Sequence, residues 1–336
     1  MDKVRNCSVI LQWCANGEES TLFDYLQETT YTDPASGSSD ELQITLFNVD
    51  LEWMKDKAPK LGDRVKAFFD LMNWNGLRDN HQLLCGQFLV DDVEYSGNSS
   101  ECIVACVSKP ADTSWATRQR TQVWENATLA GIAGELAGRS GLSLSYKAPT
   151  IDIAKVEQSQ KTDQAFLEEL CEEHDLGMKV FETKLVIFDW GDMEDQDPIA
   201  KLSPERQDFV ENAFDYHDTL AGVYTGAEIA YKNGDDGEEI KLTIGDPARQ
   251  LYINETVDNA AEADKIARAR VNQSNRTATT FSADLWPRED ITSGVVIELE
   301  DMGVANGRYF VDVCTITVGS SGTQMSIETH KCQQRL

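Results

Sequence analysis

A short β pattern that occurs twice constrains the fold of this chain more than any other feature. Gly86-Gln-Phe-Leu-Val-Asp91 recurs 221 residues later as Gly307-Arg-Tyr-Phe-Val-Asp312. Each copy is rich in β-branched and aromatic residues. It leads into a Gly/Ser turn and then a run with apolar residues at alternate positions, which is the pattern of a β-hairpin. Matched without gaps, the repeat extends past the turn and places Cys106 over Ile327.

A second shared feature precedes each hairpin. Gly62-Asp-Arg-Val-Lys-Ala-Phe68 and Gly294-Val-Val-Ile-Glu-Leu299 are both short runs of β-forming residues led by a glycine. Because two independent features recur in the same order, the sequence predicts a duplication. The expected fold is α+β and mainly β, with two related β-domains and other material between them.

Composition limits the classes of protein to which the chain can belong. At 336 residues, with 41% hydrophobic and 26% charged residues, it can fold into two or three domains. The short apolar patch from Met1 to Trp13 fits a first strand better than a signal peptide. The net charge of −28, without a basic cluster, disfavours stable binding to nucleic acid or to an anionic membrane. Eight cysteines without a CxxC pair indicate reduced, buried thiols in a cytosolic product.

Periodicity divides the chain into four parts. Residues 1–111 contain mainly strands and form the first β-domain. Residues 112–190 form an α+β middle module, and residues 191–215 form an acidic linker that we expect to be solvated. Residues 216–336 form the second β-domain.

The middle module contains two predicted amphipathic helices. Asn126 or Thr128 caps the first, which is stopped by Gly141 and has an apolar stripe of Leu129, Ile132, Ala133, Leu136 and Ala137. Thr162 caps the second, which ends at Gly177 and turns inward Phe166, Leu167, Leu170 and Cys171. A hairpin over residues 178–188 follows.

The last part of the chain also carries strong local signals. Alternating apolar residues flank Asn233-Gly234, which predicts a hairpin that turns at this pair. Asn259 and Glu262 have capping-box spacing and open a helix.

The candidate chemical residues form no convincing site. The four histidines, His81, His174, His217 and His330, lie far apart, and no GxSxG, HExxH, P-loop or GxGxxG motif occurs in a supporting context. Cys171 and His174 share a helix face, but a core cysteine and a histidine at a helix end explain them better than a metal pair. Scattered tryptophans indicate core or interface positions. The sequence therefore predicts no catalytic, cofactor-binding or metal-binding residues, and no enzyme.

The middle module resembles the tail-hub proteins of contractile phages and phage-like particles, the late control D family. The resemblance begins with Thr121–Leu142 and continues through Val156–Leu170, which keeps the family pattern of Gln158, Ser159, Asp163, Phe166, Leu167 and Leu170. It extends to the hairpin over 177–188, to Ala260–Arg270 and to Asn306–Asp312. The family often has a histidine shortly after the last of these strands. Thr315-Ile-Thr317 stands there in this chain, so we assign that position no role.

The resemblance implies a structural role at the baseplate of a virion tail or phage-like particle, assembled in the bacterial cytoplasm. Members form a homotrimeric hub between the tail tube, or a tube-initiator protein, and the central spike. Two tail-tube-like β-barrel domains per chain would give a trimer six similar units that match a sixfold ring. The middle module would contact other baseplate proteins. Acidic residues lining the channel would repel DNA, which is a hypothesis. No cofactor, membrane or stable nucleic-acid partner is implied.

Two other functions are compatible with the sequence. A cell-wall hydrolase would need a catalytic pair of carboxylates in a cleft, but carboxylates are too abundant here for any one pair to be informative. A receptor- or carbohydrate-binding tail protein would use exposed tryptophans. We therefore expect the structural hub, with the receptor-binding protein as its alternative.

Overall fold

The structure, a computed structural model, describes residues 6–15, 18–20, 25–73, 78–98, 100–108, 114–181, 183–232, 239–254, 257, 259–320 and 322–336. The first part of the chain is built from seven strands: β1 (Asn6–Ala15), β2 (Glu18–Ser20), β3 (Leu26–Pro34), β4 (Glu41–Phe47), β5 (Arg64–Met72), β6 (His81–Ser96) and β7 (Glu101–Val107).

The middle part alternates helices and strands: α1 (Ser114–Thr117), β8 (Gln119–Thr128), α2 (Leu129–Arg139), β9 (Ser143–Lys147), β10 (Asp152–Thr162), α3 (Asp163–Glu173), β11 (Leu176–Phe181), β12 (Lys184–Asp189) and α4 (Trp190–Glu194). The last part contains one long helix among strands: β13 (Ala200–Leu202), β14 (Phe209–Asp218), β15 (Gly226–Lys232), β16 (Glu239–Gly245), β17 (Gln250–Asn254), α5 (Ala260–Arg276), β18 (Thr279–Leu285), β19 (Val296–Leu299), β20 (Gly307–Gly319) and β21 (Gly322–Lys331). The fold is α+β and mainly β, as predicted.

Both copies of the repeat lie in one 13-stranded sheet that curls into a half-barrel. The first copy runs in the order β3-β4-β7-β6-β5-β1, and the second in the order β14-β18-β21-β20-β19-β13. Antiparallel pairing of β20 with β3 joins the two copies, and one hydrophobic core extends behind both. The predicted pair of β-domains therefore shares a sheet and a core.

The registers of the two copies confirm the duplication. Gly86 pairs with Ala67 in the first copy, and its counterpart Gly307 pairs with Leu299 in the second. Both glycines take positive φ angles, 117° and 137°, in the region that favours glycine because it has no Cβ.

The leading glycines are equivalent as well. Gly62 N–H donates to Val90 O at 2.8 Å, and Gly294 N–H donates to Val311 O at 2.9 Å. Their φ angles are 86° and 79°. Since the acceptors are themselves equivalent in the repeat, the glycines mark the same turn into the same strand.

The ungapped match fails beyond the hairpin turn. Cys106, predicted to correspond to Ile327, pairs with Val90. The counterpart of Val90 is Val311, which pairs with Thr329. The second hairpin is longer by two residues at its turn, and this shifts the returning strand. Ser99 and Ser321 of the two turns lie outside the described residues.

The two helices of the middle module form where predicted, with one correction. Thr128 Oγ1 accepts a hydrogen bond from Gly131 N at 3.1 Å, and Thr162 Oγ1 from Ala165 N at 3.2 Å. Both predicted apolar stripes are buried. However, α3 ends at Glu173, and Gly177 lies in β11, where a Cβ atom would be only 2.2 Å from the Phe188 ring.

The ribbon formed by β8 and β10 was not predicted. These strands pair antiparallel over their whole length, but most of their side chains are exposed or half-buried on both faces. Without an alternation of apolar and polar residues, the sequence does not mark them as strands.

The segment 191–215 was expected to be a solvated acidic linker; Asp192, Asp195 and Asp197 are exposed, but the segment also contains strands of the large sheet. Within it, β13 pairs with β19, and β14 begins at Phe209, which is 3% exposed. Glu194 is only 2% exposed. Two of its carboxylates have cationic partners, Glu194 with Arg335 and Asp208 with Arg206. The domain boundaries themselves stay a prediction.

A small α+β unit is inserted between β14 and β18. Antiparallel β15 and β16 form the predicted hairpin, whose turn at Asn233-Gly234 lies outside the described residues, and β17 pairs parallel to β15. Asn259 caps α5 by accepting from Glu262 N at 3.0 Å, as predicted. Among the residues that the structure describes, no helix is both long and apolar enough to cross a membrane.

Candidate functional site: two buried charged junctions and an aromatic rim

The residues considered for catalysis or metal binding are dispersed. Within the described part of the chain, no group of three or more His, Cys, Asp or Glu side chains is arranged to hold a metal. Cys171 is buried in the module core and His174 caps the end of α3, as the sequence favoured. Burial raises the pKa of Cys106, Cys171 and Cys314 to about 12. Thiols held protonated in this way are poor nucleophiles.

The tryptophans are mainly core residues. Five are buried: Trp13, Trp53, Trp115, Trp124 and Trp190. Trp286 is 53% exposed, and Trp74 lies outside the described residues. The prediction that scattered tryptophans form core is confirmed for these five.

A first charged junction ties the middle module to the sheet. Lys179 of β11 forms ion pairs with Asp33 of β3 and with Asp40, whose carboxylate oxygen lies 2.7 Å from the ammonium nitrogen. Tyr31 O–H donates to Asp40 at 3.2 Å. Asp33 accepts from Ser293 N at 3.1 Å, which connects the junction to the loop before β19. We call Tyr31, Asp33, Asp40 and Lys179 the lysine junction.

Burial dominates the electrostatics of the lysine junction. Asp40 is fully buried, and this raises its pKa to about 6 although Lys179 opposes the shift. Burial also raises the pKa of Tyr31 far above its usual value. The tyrosine is therefore a fixed donor to Asp40.

The second junction brings together residues of β20, β21, α4, α5, the turn after α3 and the C-terminal tail. His330 of β21 lies 2.8 Å from Asp312 of β20 and 3.5 Å from Glu194 of α4. Arg335 of the C-terminal tail lies 3.4 Å from Glu194 and 3.2 Å from Asp175, which also pairs with Arg276 of α5. The Trp190 ring covers this group, with the Arg276 guanidinium 4.2 Å from its centroid. These residues form the histidine junction.

The histidine junction favours a charged imidazole. Burial alone would lower the pKa of His330, but its hydrogen bonds to Asp312 and Glu194 raise it above the usual value. Burial also opposes ionisation of Glu194, yet His330 and Arg335 lower its pKa. The junction is thus a set of mutually compensated buried charges, whose geometry suits the fixing of one module against another.

Sequence reasoning missed most of these residues. The repeated aspartate at 312 was found, but its counterpart Asp91 is exposed, so the repeat gave no sign of an ion pair. Nothing in the local sequence distinguishes Lys179 or Glu194 from other charged residues. Their partners are more than a hundred residues away.

A cleft of about 380 Å³ lies beside the lysine junction, between the sheet and the middle module. Its walls are mostly apolar and include Leu83, Phe181, Val186, Phe188, Met193 and Ile316, with Lys179 and Asp33 at one side. The two charged groups are already paired with each other. The cleft therefore presents no convergent set of unpaired polar groups of the kind that orients a substrate.

Two exposed aromatic residues occupy equivalent places in the two copies of the repeat. Leu46 pairs with Cys102 and Leu285 with Met325, at the same level of the two hairpins. The next residues are Phe47, 48% exposed, and Trp286, 53% exposed. Both lie at the hairpin-turn end of the sheet, whereas the lysine junction lies at the β3–β4 loop end. We call Phe47 and Trp286 the aromatic rim.

Comparison with known proteins gives concordant matches. The model of the family described as phage tail baseplate hub (GPD) matches residues 40–322. A probable baseplate hub protein of Escherichia phage 186 is 26% identical over 230 residues, covering 67% of this chain and 56% of that protein. The corresponding protein of Escherichia phage P2 is 28% identical over 222 residues, covering 64% of this chain and 54% of that protein. The chain thus spans about half the length of these curated relatives.

Among solved structures, the tail protein from Neisseria meningitidis MC58 has the same fold. It superimposes with a TM-score of 0.71 at 13% identity, covering 96% of this chain and 97% of that one. The similarity extends over both copies of the repeat and the material between them.

Proposed function

The chain belongs to the phage tail baseplate hub family and is a structural protein of the virion tail baseplate, and we propose that three copies of it join a sixfold tail tube to the central spike. The observation that carries this proposal is the duplication. Two copies with the same strand order, and with equivalent registers between β5 and β6 and between β19 and β20, give a trimer six similar units. A threefold ring can then meet a sixfold one.

The aromatic rim supports contact with the tube at one end of the sheet. Phe47 and Trp286 are equivalent in the repeat and similarly exposed, so a trimer presents six aromatic side chains at similar places. Exposed aromatic residues are enriched at protein interfaces because they bury much apolar area on contact. The middle module is fixed at the opposite end by the lysine junction and would contact other baseplate proteins.

The composition of the sheet supports an open channel. The strands β3, β4, β6, β7, β14 and β18 contain no Lys or Arg, and their half-buried or exposed positions carry Thr, Ser, Gln, Asp and Glu beside apolar residues such as Leu84, Ile103 and Phe214. A neutral to acidic wall of this kind would not bind DNA. We propose that the sheet face formed by these half-buried and exposed side chains lines the channel of the ring.

The proposed role requires no catalysis. The buried charges at both junctions are mutually paired, and the described lining of the cleft beside the lysine junction lacks a free pair of polar groups of the kind that hydrolysis needs. The alternative, a receptor- or carbohydrate-binding protein, would rest on Trp286 and is less well supported, because the other described tryptophans are buried.

Native mass spectrometry of the purified chain tests the proposal. We expect a particle of three 37.5 kDa chains, and a threefold density with six similar β units at the base of the assembled tail by cryo-electron microscopy. A stable mass of two, four or six chains would contradict the proposed trimer.

A further inference from the structure

Two of the edges at which the large sheet ends without a partner strand, within the described residues, lie on β14 and β6. On one side β14 pairs with β18, and no described strand pairs with its other side. On β6, pairing with β5 stops at Leu89, so the same side from Asp92 to Tyr95 faces no described strand. Free edges of this kind readily accept a strand from another chain.

The repeat identifies the counterpart of each free edge. The counterpart of β6 is β20, whose residues Val313–Gly319 pair with β3. The counterpart of β3 is β14. In the first copy β3 is the end strand and pairs with β4, and in the second copy β14 is the end strand and pairs with β18. Tyr31 pairs with Leu42 and Tyr216 with Phe281, at the same level of the two copies. Both strands also carry a bulge near their first residues.

The pairing of β20 with β3 inside the chain therefore predicts how β6 and β14 of different chains would pair. Within the chain, Ile316 lies opposite Tyr31 and Thr315 opposite Thr32. The repeat places Tyr95 at the position of Ile316 and Glu94 at that of Thr315. In the same way, Tyr216 replaces Tyr31, and the next residue, His217, replaces Thr32.

We propose that β14 of one copy adds to β6 of a second copy of this chain as an antiparallel strand, with Tyr216 opposite Tyr95 and His217 opposite Glu94. This inference rests on the trimer of the proposed function and specifies its interface. The contact is head-to-tail, so three such joints close a ring in which the two copies of the repeat alternate.

Burial supports the pairing. Ile316 and Tyr31, which meet at the joint inside the chain, are each 7% exposed. Tyr95 and Tyr216 pack partly against the same core but are left half-buried at the free edges. Strand addition would cover both rings. Glu94 and His217 are exposed, and their pairing would place an anionic group opposite one that can carry a positive charge.

Disulfide cross-linking of the full chain tests the register. Residues directly opposite each other across two strands bring their Cβ atoms about 4.5–5.5 Å apart, close to disulfide geometry. Glu94→Cys with His217→Cys should give covalent dimers and trimers on a non-reducing gel after mild oxidation. The counterpart variant, Thr32→Cys with Thr315→Cys, should give a disulfide within one chain.

Two controls make the result specific. The unsubstituted chain, oxidised alongside, measures linkage through native cysteines. Glu94→Cys with Asp215→Cys keeps the same faces but shifts the pair by two residues, to about 7–8 Å, and should lose the cross-link.

A particle of three chains that cross-links only through the shifted pair, or not at all, would overturn the pairing and leave the trimeric hub in place. A monomeric mass without cross-links would overturn the pairing and the trimer together.

A charge exchange gives a second test that does not depend on oxidation. Glu94→Lys alone places a lysine opposite His217, and His217→Glu alone places a glutamate opposite Glu94. Each should weaken association by about 1.5- to 5-fold per interface. The two substitutions together restore opposite charges and should recover the assembly measured by sedimentation. A double variant that associates no better than either single variant would contradict the pairing.

Discussion

Individual buried carboxylates hold the modules of this protein together, and each has its own partners. Asp163 at the start of α3 accepts from Gln158 Nε2 at 2.9 Å and from Arg120 at 3.2 Å. Gln158 is fully buried, which gives a physical reason for the Gln and Asp of the family pattern. Asp40 at the lysine junction and Glu194 at the histidine junction are likewise buried carboxylates held by cationic partners. A buried charge that loses its partner costs several kcal/mol, so these residues respond strongly to substitution and to pH.

Asp40→Asn should change how stability depends on pH. The pKa of Asp40 in the folded state is about 6, above its usual value of 3.8. The folded state therefore binds the proton more tightly, so this stabilisation is complete below pH 3.8 and is lost as the pH rises through 6. Relative to the variant, the wild-type free energy of unfolding should fall by about 2 kcal/mol between pH 4 and pH 7.

Urea unfolding of both proteins across this range measures the effect. The exposed Asp284→Asn on β18 is the matched control and should follow the wild type. Parallel pH profiles for the wild type and Asp40→Asn would show that Asp40 titrates normally.

His330→Gln should remove a stabilisation that depends on the charged imidazole. Because the folded pKa of His330 is raised, its contribution is complete below the unfolded value of about 6.5 and is lost as the pH rises through the folded value. We expect the variant to be less stable than the wild type by about 3 kcal/mol at pH 6. This difference in the free energy of unfolding between wild type and variant should become smaller by pH 9.

Thermal unfolding at the two pH values measures this gap. His81→Gln, at a half-exposed site, controls for loss of a histidine in general. A gap that stayed constant from pH 6 to pH 9 would assign His330 a packing role only.

At the scale of elements, local signals fixed the helices, whereas tertiary contacts fixed several strands. The caps at Thr128 and Thr162 and both apolar stripes are local, and α2 and α3 form on them. By contrast, Gly177 was interpreted as a helix stop because glycine often ends helices. It lies instead beneath the Phe188 ring in a strand. Its role depends on a contact with a neighbouring strand, which local sequence does not encode.

Two Gly→Ala substitutions should have opposite effects. At Gly177 a new methyl group would lie 2.2 Å from the Phe188 ring, and we expect a loss of about 1–3 kcal/mol of stability from overpacking. At Gly138, exposed in α2, nothing lies within 4 Å of the new atom, and the higher helix propensity of alanine should add about 0.5–1 kcal/mol. Chemical denaturation measures both, and a neutral Gly177→Ala would show that the ring moves aside at little cost.

At the scale of the whole molecule, the single sheet is the main consequence of the duplication. The two copies are joined directly, because β20 pairs with β3 over seven residues and the core continues behind them. The aromatic rim and the lysine junction consequently hold fixed positions at opposite ends of one rigid body. This rigidity suits the proposed position of the protein between a tube and a spike.

Phe47→Ser with Trp286→Ser should weaken binding to the cognate tail-tube protein without changing the mass of the hub. Each substitution removes an exposed aromatic side chain that the proposed contact would bury, which is worth about tenfold or more in affinity. Tyr252→Ser, at a residue 74% exposed on the small inserted sheet, is the control. Co-sedimentation with tube rings measures binding, and unchanged binding by the double variant would place the tube contact elsewhere.

The sequence by itself determined the duplication, the mainly β class, the capped helices and the family. These features depend on residues near one another in the chain or on a pattern copied within it. Only the tertiary structure decided that both copies share one sheet, that 191–215 contributes strands to it, and that Lys179, Glu194 and His330 occupy buried ion pairs. The physical reason is the distance along the chain over which each interaction acts. Backbone preferences and apolar periodicity act over a few residues, whereas a strand edge or a buried charge takes its partner from any part of the chain that folding brings within a few ångströms.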